Sequence, residues 1–242
     1  MRMLTFAKRN TKEILRDPIT LFFGLCFPVV LILLLSAIQA NIPVPLFEIQ
    51  HLAPGVTVFG LSFMSLFSAT IIARDRESSL FQRLYTTPMT PVDFILGYTL
   101  PFIPISVAQC VICYIVAIIL KMEITVNILY AIVFIIPVAL LFVGLGLLFG
   151  SILSQKQAGA ICGSILTNFS AWLSGIWFDL ELVGGVFKEI AYALPFVHAV
   201  EMERAVVLGD FSAALPHLLW VLGYAVVLLA LALFMFLRQM KK

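Results

Sequence analysis

The chain of 242 residues is 62% hydrophobic and only 12% charged, with a mean hydropathy of +1.10 and a formal net charge of +2. A soluble domain has roughly 45–50% apolar and about 25% charged residues. This composition excludes a water-covered globule and points to an all-α polytopic membrane protein, taken as a single unit over 1–242. The small net charge says little by itself; the placement of the charges says more, and no nucleic-acid partner is expected.

The first segment, 1–17, is basic. At about 100° per residue, Met3, Leu4, Ala7, Ile14 and Leu15 gather on one side of a helix, and Arg2, Arg9, Lys12, Glu13 and Arg16 gather opposite. The pattern predicts an interfacial amphipathic helix, with Arg9, Lys12 and Arg16 toward lipid headgroups. A merely basic flank would also serve to orient the chain. Asp17-Pro18 then breaks the helix and turns the chain into the bilayer. No small-residue cleavage site follows the first apolar run, so a removable leader is not expected.

A bilayer core about 30 Å thick needs roughly 20 apolar residues as helix. Six runs qualify: Pro18–Ala40, Ala53–Ala73, Phe94–Leu120, Asn127–Leu153, Gln157–Phe178 and Leu215–Leu237. Pro28, Pro101, Pro104 and Pro137 inside them predict kinks rather than ends. Of the 15 basic residues, all but Lys121, Lys188 and Arg204 fall on one side of this six-span arrangement. The positive-inside rule makes that side cytoplasmic, with both termini on it, in the plasma (inner) membrane. Cys26, Cys110, Cys113 and Cys162 all lie within apolar runs. Cys110-x-x-Cys113 has ligand spacing, but no His, Asp or third Cys accompanies it, so these read as packing residues.

Between the second and third runs stands a charged stretch, ARDRESSLFQRLYTTPMTPVDF, Ala73–Phe94. Glu77-Ser78-Ser79-Leu80 reads as a helix start. Leu80, Phe81, Leu84 and Tyr85 recur at helical spacing, Pro88 and Pro91 stop the helix, and Asp93 is placed to cap the third span. Such a helix suits a docking surface for a soluble partner, since Phe, Tyr and Arg are common interface anchors. It suits equally an interfacial turn resting on the bilayer.

The fifth run carries Gly159, Gly163, Thr167, Ser170 and Ser174 on one small, weakly polar face, with Asn168 near mid-span. Ser65 and Ser68 in the second run make a fainter stripe. These faces predict close helix packing, a dimer face or a lining for a transport path. Gly146-x-x-x-Gly150 in the fourth run predicts packing too. No Asp, Glu, Lys or Arg lies deep in any run, which argues against a proton relay or an ion-coupled pump. The segment 179–214 holds two apolar pieces separated by Pro195, each too short to cross. It predicts an external helical hairpin, interfacial or re-entrant, with Phe187, Tyr192 and Phe196 as aromatic bulk. His198 and Glu201 make too weak a pair to expect a metal, and no catalytic constellation is visible.

The stretch RDRESSLFQRLYTTPMTPVDFILG resembles the first cytoplasmic loop of ABC-2-type permeases, the membrane subunits of ATP-binding-cassette exporters. Glu77 matches the family's acidic residue, Leu80 its Leu, Arg83-Leu84 its Arg-Leu and Thr87-Pro88 its Thr-Pro; Ser78 stands where Gly is usual. The resemblance extends in outline to the whole chain: basic N-terminus, six spans, loop helix and external hairpin. It implies that 74–93 is a coupling loop whose helix seats in a cytosolic ABC ATPase through Arg76, Glu77, Leu80, Phe81, Arg83, Leu84 and Tyr85. It implies also a second permease copy or paralogue, with membrane lipid around the pair. The chain has no G-x-x-x-x-G-K-[ST] loop, so ATP and Mg belong to the partner and this chain is not expected to be an enzyme. The implied function is ATP-driven export of an amphipathic or hydrophobic cargo such as a drug, antibiotic, peptide or lipid-like molecule. A lipid-linked glycan exporter and a non-transporting scaffold are the alternatives.

Overall fold

The structure, a computed structural model, describes residues 2–43, 46–78 and 90–240. Every regular element among them is helical. Helix α1 (Arg2–Leu15) precedes α2 (Pro18–Gln39). Asp17 caps α2 by accepting from the amides of Ile19 and Thr20, with Pro18 in the first turn, where a missing N–H costs nothing. One π turn, Phe22–Cys26, lies just before Pro28. A wide turn there absorbs the hydrogen bond that proline cannot make.

Helix α3 (Ile49–Glu77) is the centre of the fold, with an unbroken buried run over 52–65. It begins earlier and ends later than the apolar run. The charged residues Arg74, Asp75, Arg76 and Glu77 form its last turn, so Glu77 ends a helix rather than starting one, and Ser78 is its C-cap. The third apolar stretch is split by Pro101 into α4 (Pro91–Thr99) and α5 (Phe102–Ile119). Thr90 and Asp93 cap α4 reciprocally. Helix α6 (Asn127–Ile152) keeps Pro137 within one continuous helix.

Among the described elements, α6 and α3 pack together most extensively, and glycine is the reason. A Cβ on Gly146 would lie 2.2 Å from the Ser65 carbonyl oxygen, and one on Gly150 would lie 2.4 Å from that of Ala69. The two backbones touch only because these positions are bare. Ser65 and Ser68 are therefore buried at a helix–helix contact within one chain, where Ser68 bonds the Met64 carbonyl.

Among the described residues five helices are long and apolar enough to cross a membrane: Pro18–Gln39, Ile49–Glu77, Pro91–Ile119, Asn127–Ile152 and Phe211–Arg238. The expected crossing Gln157–Phe178 is helical over residues 155–172, here α7, and is not among the five. It opens on the polar Gln155-Lys156-Gln157, has a π segment at Ile161–Leu166, and gives way to turns around Gly175, whose φ is +70°.

The segment after it forms α8 (Leu180–Val183), α9 (Gly185–Ala193) and α10 (Pro195–Leu208), followed by α11 (Phe211–Met240). Pro195 does divide two short helices, but they differ in kind. Helix α9 is largely exposed, with Phe187 half-buried and Tyr192 at the surface. Helix α10 is buried on nearly every side, against α3, α6 and α11, and Phe196 stacks on Phe142 of α6. It behaves as a core helix and not as a surface flap.

Candidate functional site

The end of α3 gathers four other elements. The Asp75 side chain, 3% exposed, takes both arms of Arg9 from α1, with Nη2–Oδ1 at 2.9 Å. It also accepts from the Tyr98 hydroxyl of α4 at 2.9 Å. A planar guanidinium and a carboxylate match in this two-point geometry, which fixes orientation as well as distance. Arg9 further donates to Asn10 Oδ1 and pairs with Glu13, while Arg74 pairs with Glu13 from the other side. Asn10, buried, donates to the Gly97 carbonyl at 3.0 Å. Phe6 explains why glycine stands there: a Cβ on Gly97 would lie 2.4 Å from its ring.

Phe6 meets Tyr98 and Phe94 edge-on, and Phe94 touches Phe236 of α11. So α1 presents Phe6, Ala7, Asn10 and Ile14 to the protein, whereas Leu4 and Leu15 remain exposed. The expected apolar face is split between protein and surroundings. Of the expected headgroup-facing residues, Lys12 and Arg16 are exposed and Arg9 turns inward to Asp75.

The next two residues grip the α6–α7 turn. Arg76 donates to the carbonyls of Ser151 and Leu153 at the end of α6. Glu77 Oε1 accepts from the Gln155 amide at the start of α7, at 2.9 Å. Helix ends leave carbonyls and amides unpaired, with partial negative charge at the C-terminus and positive at the N-terminus. An arginine on the first and a glutamate on the second satisfy both. Beside this cluster a cavity of about 250 Å³ is lined by Glu13, Asp17, Thr20, Leu66, Thr70 and Arg74, among others. Residues 79–89 leave from this point. The expected coupling residues Leu80, Phe81, Arg83, Leu84 and Tyr85 lie outside the described residues; Arg76 and Glu77 stand at their root.

The small-residue face of α7 also has a partner within the chain. Thr167, Ser170 and Ser174 are buried, and Gly159 and Gly163 face Thr70 and Leu66 of α3. Asn168 points the other way and is exposed, together with Ile165, Phe169 and Trp172.

At the far end, α10 is tied to its neighbours by polar links that the sequence did not reveal. Arg204 donates to the carbonyls of His51 in α3 and Gly175 after α7. Asn127 of α6 donates to the Val207 carbonyl. His198 meets His217 of α11, Nδ1 to Nδ1, at 2.7 Å. Glu203 is wholly buried; the Tyr114 hydroxyl of α5 lies 3.4 Å from its Oε2, and Oε1 has no hydrogen-bond partner. Burial pushes its carboxyl well above the usual carboxylate range. The only sequence signal was Glu203 standing among Val200, Met202, Val206 and Val207, and its burial depends on how deep α10 lies.

Among the described residues no group of three or more His, Cys, Asp or Glu could hold a metal ion. No curated protein matches the chain. Residues 1–208 match the ABC-2 type transporter family. That match spans most of the chain, and the chain belongs to the ABC-2 type transporter family as a membrane permease subunit of the kind that works with ABC ATPase subunits and carries no catalysis itself.

Proposed function

We propose that this permease subunit is part of an ATP-driven exporter that moves an amphipathic or hydrophobic cargo outward across the plasma membrane. In this reading the chain crosses six times, with α7 as the fifth crossing and both termini in the cytoplasm. Segment 74–93 is the coupling loop and engages a cytosolic ABC ATPase that holds ATP and Mg. Segment 1–17 lies along the inner leaflet. A second copy or a paralogue packs against the outward face of α7, at Ile165, Asn168, Phe169 and Trp172, because its small-residue face is already occupied by α3.

The observation that carries the proposal is the triple fastening at Asp75, Arg76 and Glu77. A plain connection between two spans needs no such root. Here any displacement of residues 79–89 is handed at once to α1, α4, α6 and α7, as a rigid-body switch driven from outside requires. The test is co-purification of the ATPase with the chain carrying Phe81→Ala and Leu84→Ala together. Association and transport should fall by at least about tenfold, the loss of about 1.4 kcal/mol or more that such anchors supply, while the spans stay folded. Unchanged association and unchanged transport would remove the coupling assignment.

A further inference from the structure

We infer that the pair His198–His217 is a proton-operated clasp between the hairpin helix α10 and the last span α11, which holds with no or one added proton and opens on the second. The inference rests on the orientation proposed above, which puts the clasp outside.

The protons can be assigned from the partners. His198 Nε2 lies 3.0 Å from the Tyr192 carbonyl oxygen. A carbonyl only accepts, so Nε2 carries a hydrogen, and a neutral His198 must leave Nδ1 bare. Its neighbour at 2.7 Å, His217 Nδ1, must then be the donor, with His217 Nε2 bare. A first added proton goes to that Nε2 and leaves the Nδ1–H···Nδ1 bond intact, now charge-assisted and stronger. The Trp220 ring, stacked on His198 at 4.8 Å and 14°, offers a π face that tolerates the positive charge. A second proton has only His198 Nδ1 to take. It sets two N–H donors and two positive rings against each other at hydrogen-bond distance, and the contact must open.

The surroundings bear on the same step. Glu201 of α10, itself paired to Arg204, is the acid that faces the rings. From α9 come the Tyr192 carbonyl and Lys188, which stands over the Tyr192 ring. Helix α11 brings His217, Trp220 and Tyr224, the last donating to the Ala193 carbonyl. Helices α3 and α6 meet α10 through the Arg204 bond to His51 and the Asn127 bond to Val207, and α5 through Tyr114 at Glu203. Burial lowers His198 below its ordinary range. The sign follows: the unclasped state binds more protons, so the clasp holds at neutral pH and is lost as pH falls below the ordinary histidine value of about 6.5.

Opening should uncover Ala199, which is fully buried beside the clasp, and leave Gly185, already exposed, as it was. The experiment uses the full chain in cells, with its natural cysteines replaced by alanine and a reporter at Ala199→Cys or Gly185→Cys. A membrane-impermeant thiol reagent is added outside. The readout is the ratio of the two labelling rates, which cancels the slower thiol chemistry in acid. As outside pH falls from about 6.5 to about 5 the ratio should rise by up to about tenfold per pH unit, the slope of one linked proton. His217→Gln, whose amide still bonds His198 and cannot double the charge, should hold the ratio flat; His198→Gln should do the same. A flat ratio in the parent, or the same rise in both glutamine variants, overturns the clasp. Absence of outside labelling at Gly185→Cys overturns the orientation instead; the clasp is then read from the same ratio in inside-out vesicles.

Discussion

Asp75, Arg76 and Glu77 fasten one end of α3 to four neighbours, and Arg204, Glu203, Asn127 and His198 fasten α10 to four spans at the other. His51 and Arg76 are 25 residues apart on one helix, so the two clusters stand about 38 Å apart. They are built from different chemistry. The first uses guanidinium against carboxylate and charge against helix ends. The second shares an arginine on backbone carbonyls but adds a histidine pair and a buried acid on a tyrosine. Charge pairs with several partners keep their geometry while a load passes through them. Hydrogen bonds between groups that can take up or lose a proton can be switched. In the exporter proposed above, the first would be a stiff end where force enters and the second a releasable end where cargo leaves.

The sharpest way to break that comparison is Asp75→Ala. It takes away the acceptor shared by Arg9 and the Tyr98 hydroxyl, a loss of about 1.5–3 kcal/mol for hydrogen bonds to a charged group. Folded yield and melting temperature in detergent should drop, and loss of α1 packing should appear as faster hydrogen exchange over Arg2–Leu15. If exchange there is unchanged, α1 is held by its apolar face alone. Next is Arg76→Met, which keeps the stem of the side chain and removes its bonds to the carbonyls of Ser151 and Leu153. About 1–2 kcal/mol of stability should go, as for hydrogen bonds from a charged donor. Stimulation of the partner ATPase should fall more than binding does. Equal loss of both would make Arg76 a docking residue rather than a link. The smallest effect is expected from Glu203→Gln. A buried acid whose charged form burial disfavours is replaced by a neutral amide of the same shape, so stability should change by less than about 1 kcal/mol. A melting temperature lowered as far as by Asp75→Ala would mean that Glu203 is ionised and paired, and the two ends would then be alike.

Much of this molecule was legible in its sequence because bilayer burial writes itself as long apolar runs. The spans over Pro18–Gln39, Asn127–Ile152 and Phe211–Arg238 follow their runs to within a few residues, and Gly146-x-x-x-Gly150 predicted close packing without naming α3 as the partner. The charged stretch stood out by contrast, yet its local reading failed at Glu77. Capping propensity favoured a helix start there, but the α6–α7 turn holds Arg76 and Glu77 in the last turn of α3. The small-residue stripe on α7 was visible; which of its sides the protein already uses was not, since periodicity gives a face and never its occupant.

The sequence by itself determined the class and the helical character, because both follow from composition and run length, and the resemblance of its charged stretch pointed to the family. Only the tertiary structure decided that α10 is a core helix, that Glu203 is buried against Tyr114, and that His198 and His217, 19 residues apart, share a hydrogen bond. The physical reason is the same in each case. An apolar piece of 14 residues is too short for the bilayer to fix its depth. Its place is set by what it can pack against, here α3, α6 and α11 at once, and the burial of its polar side chains follows from that packing alone.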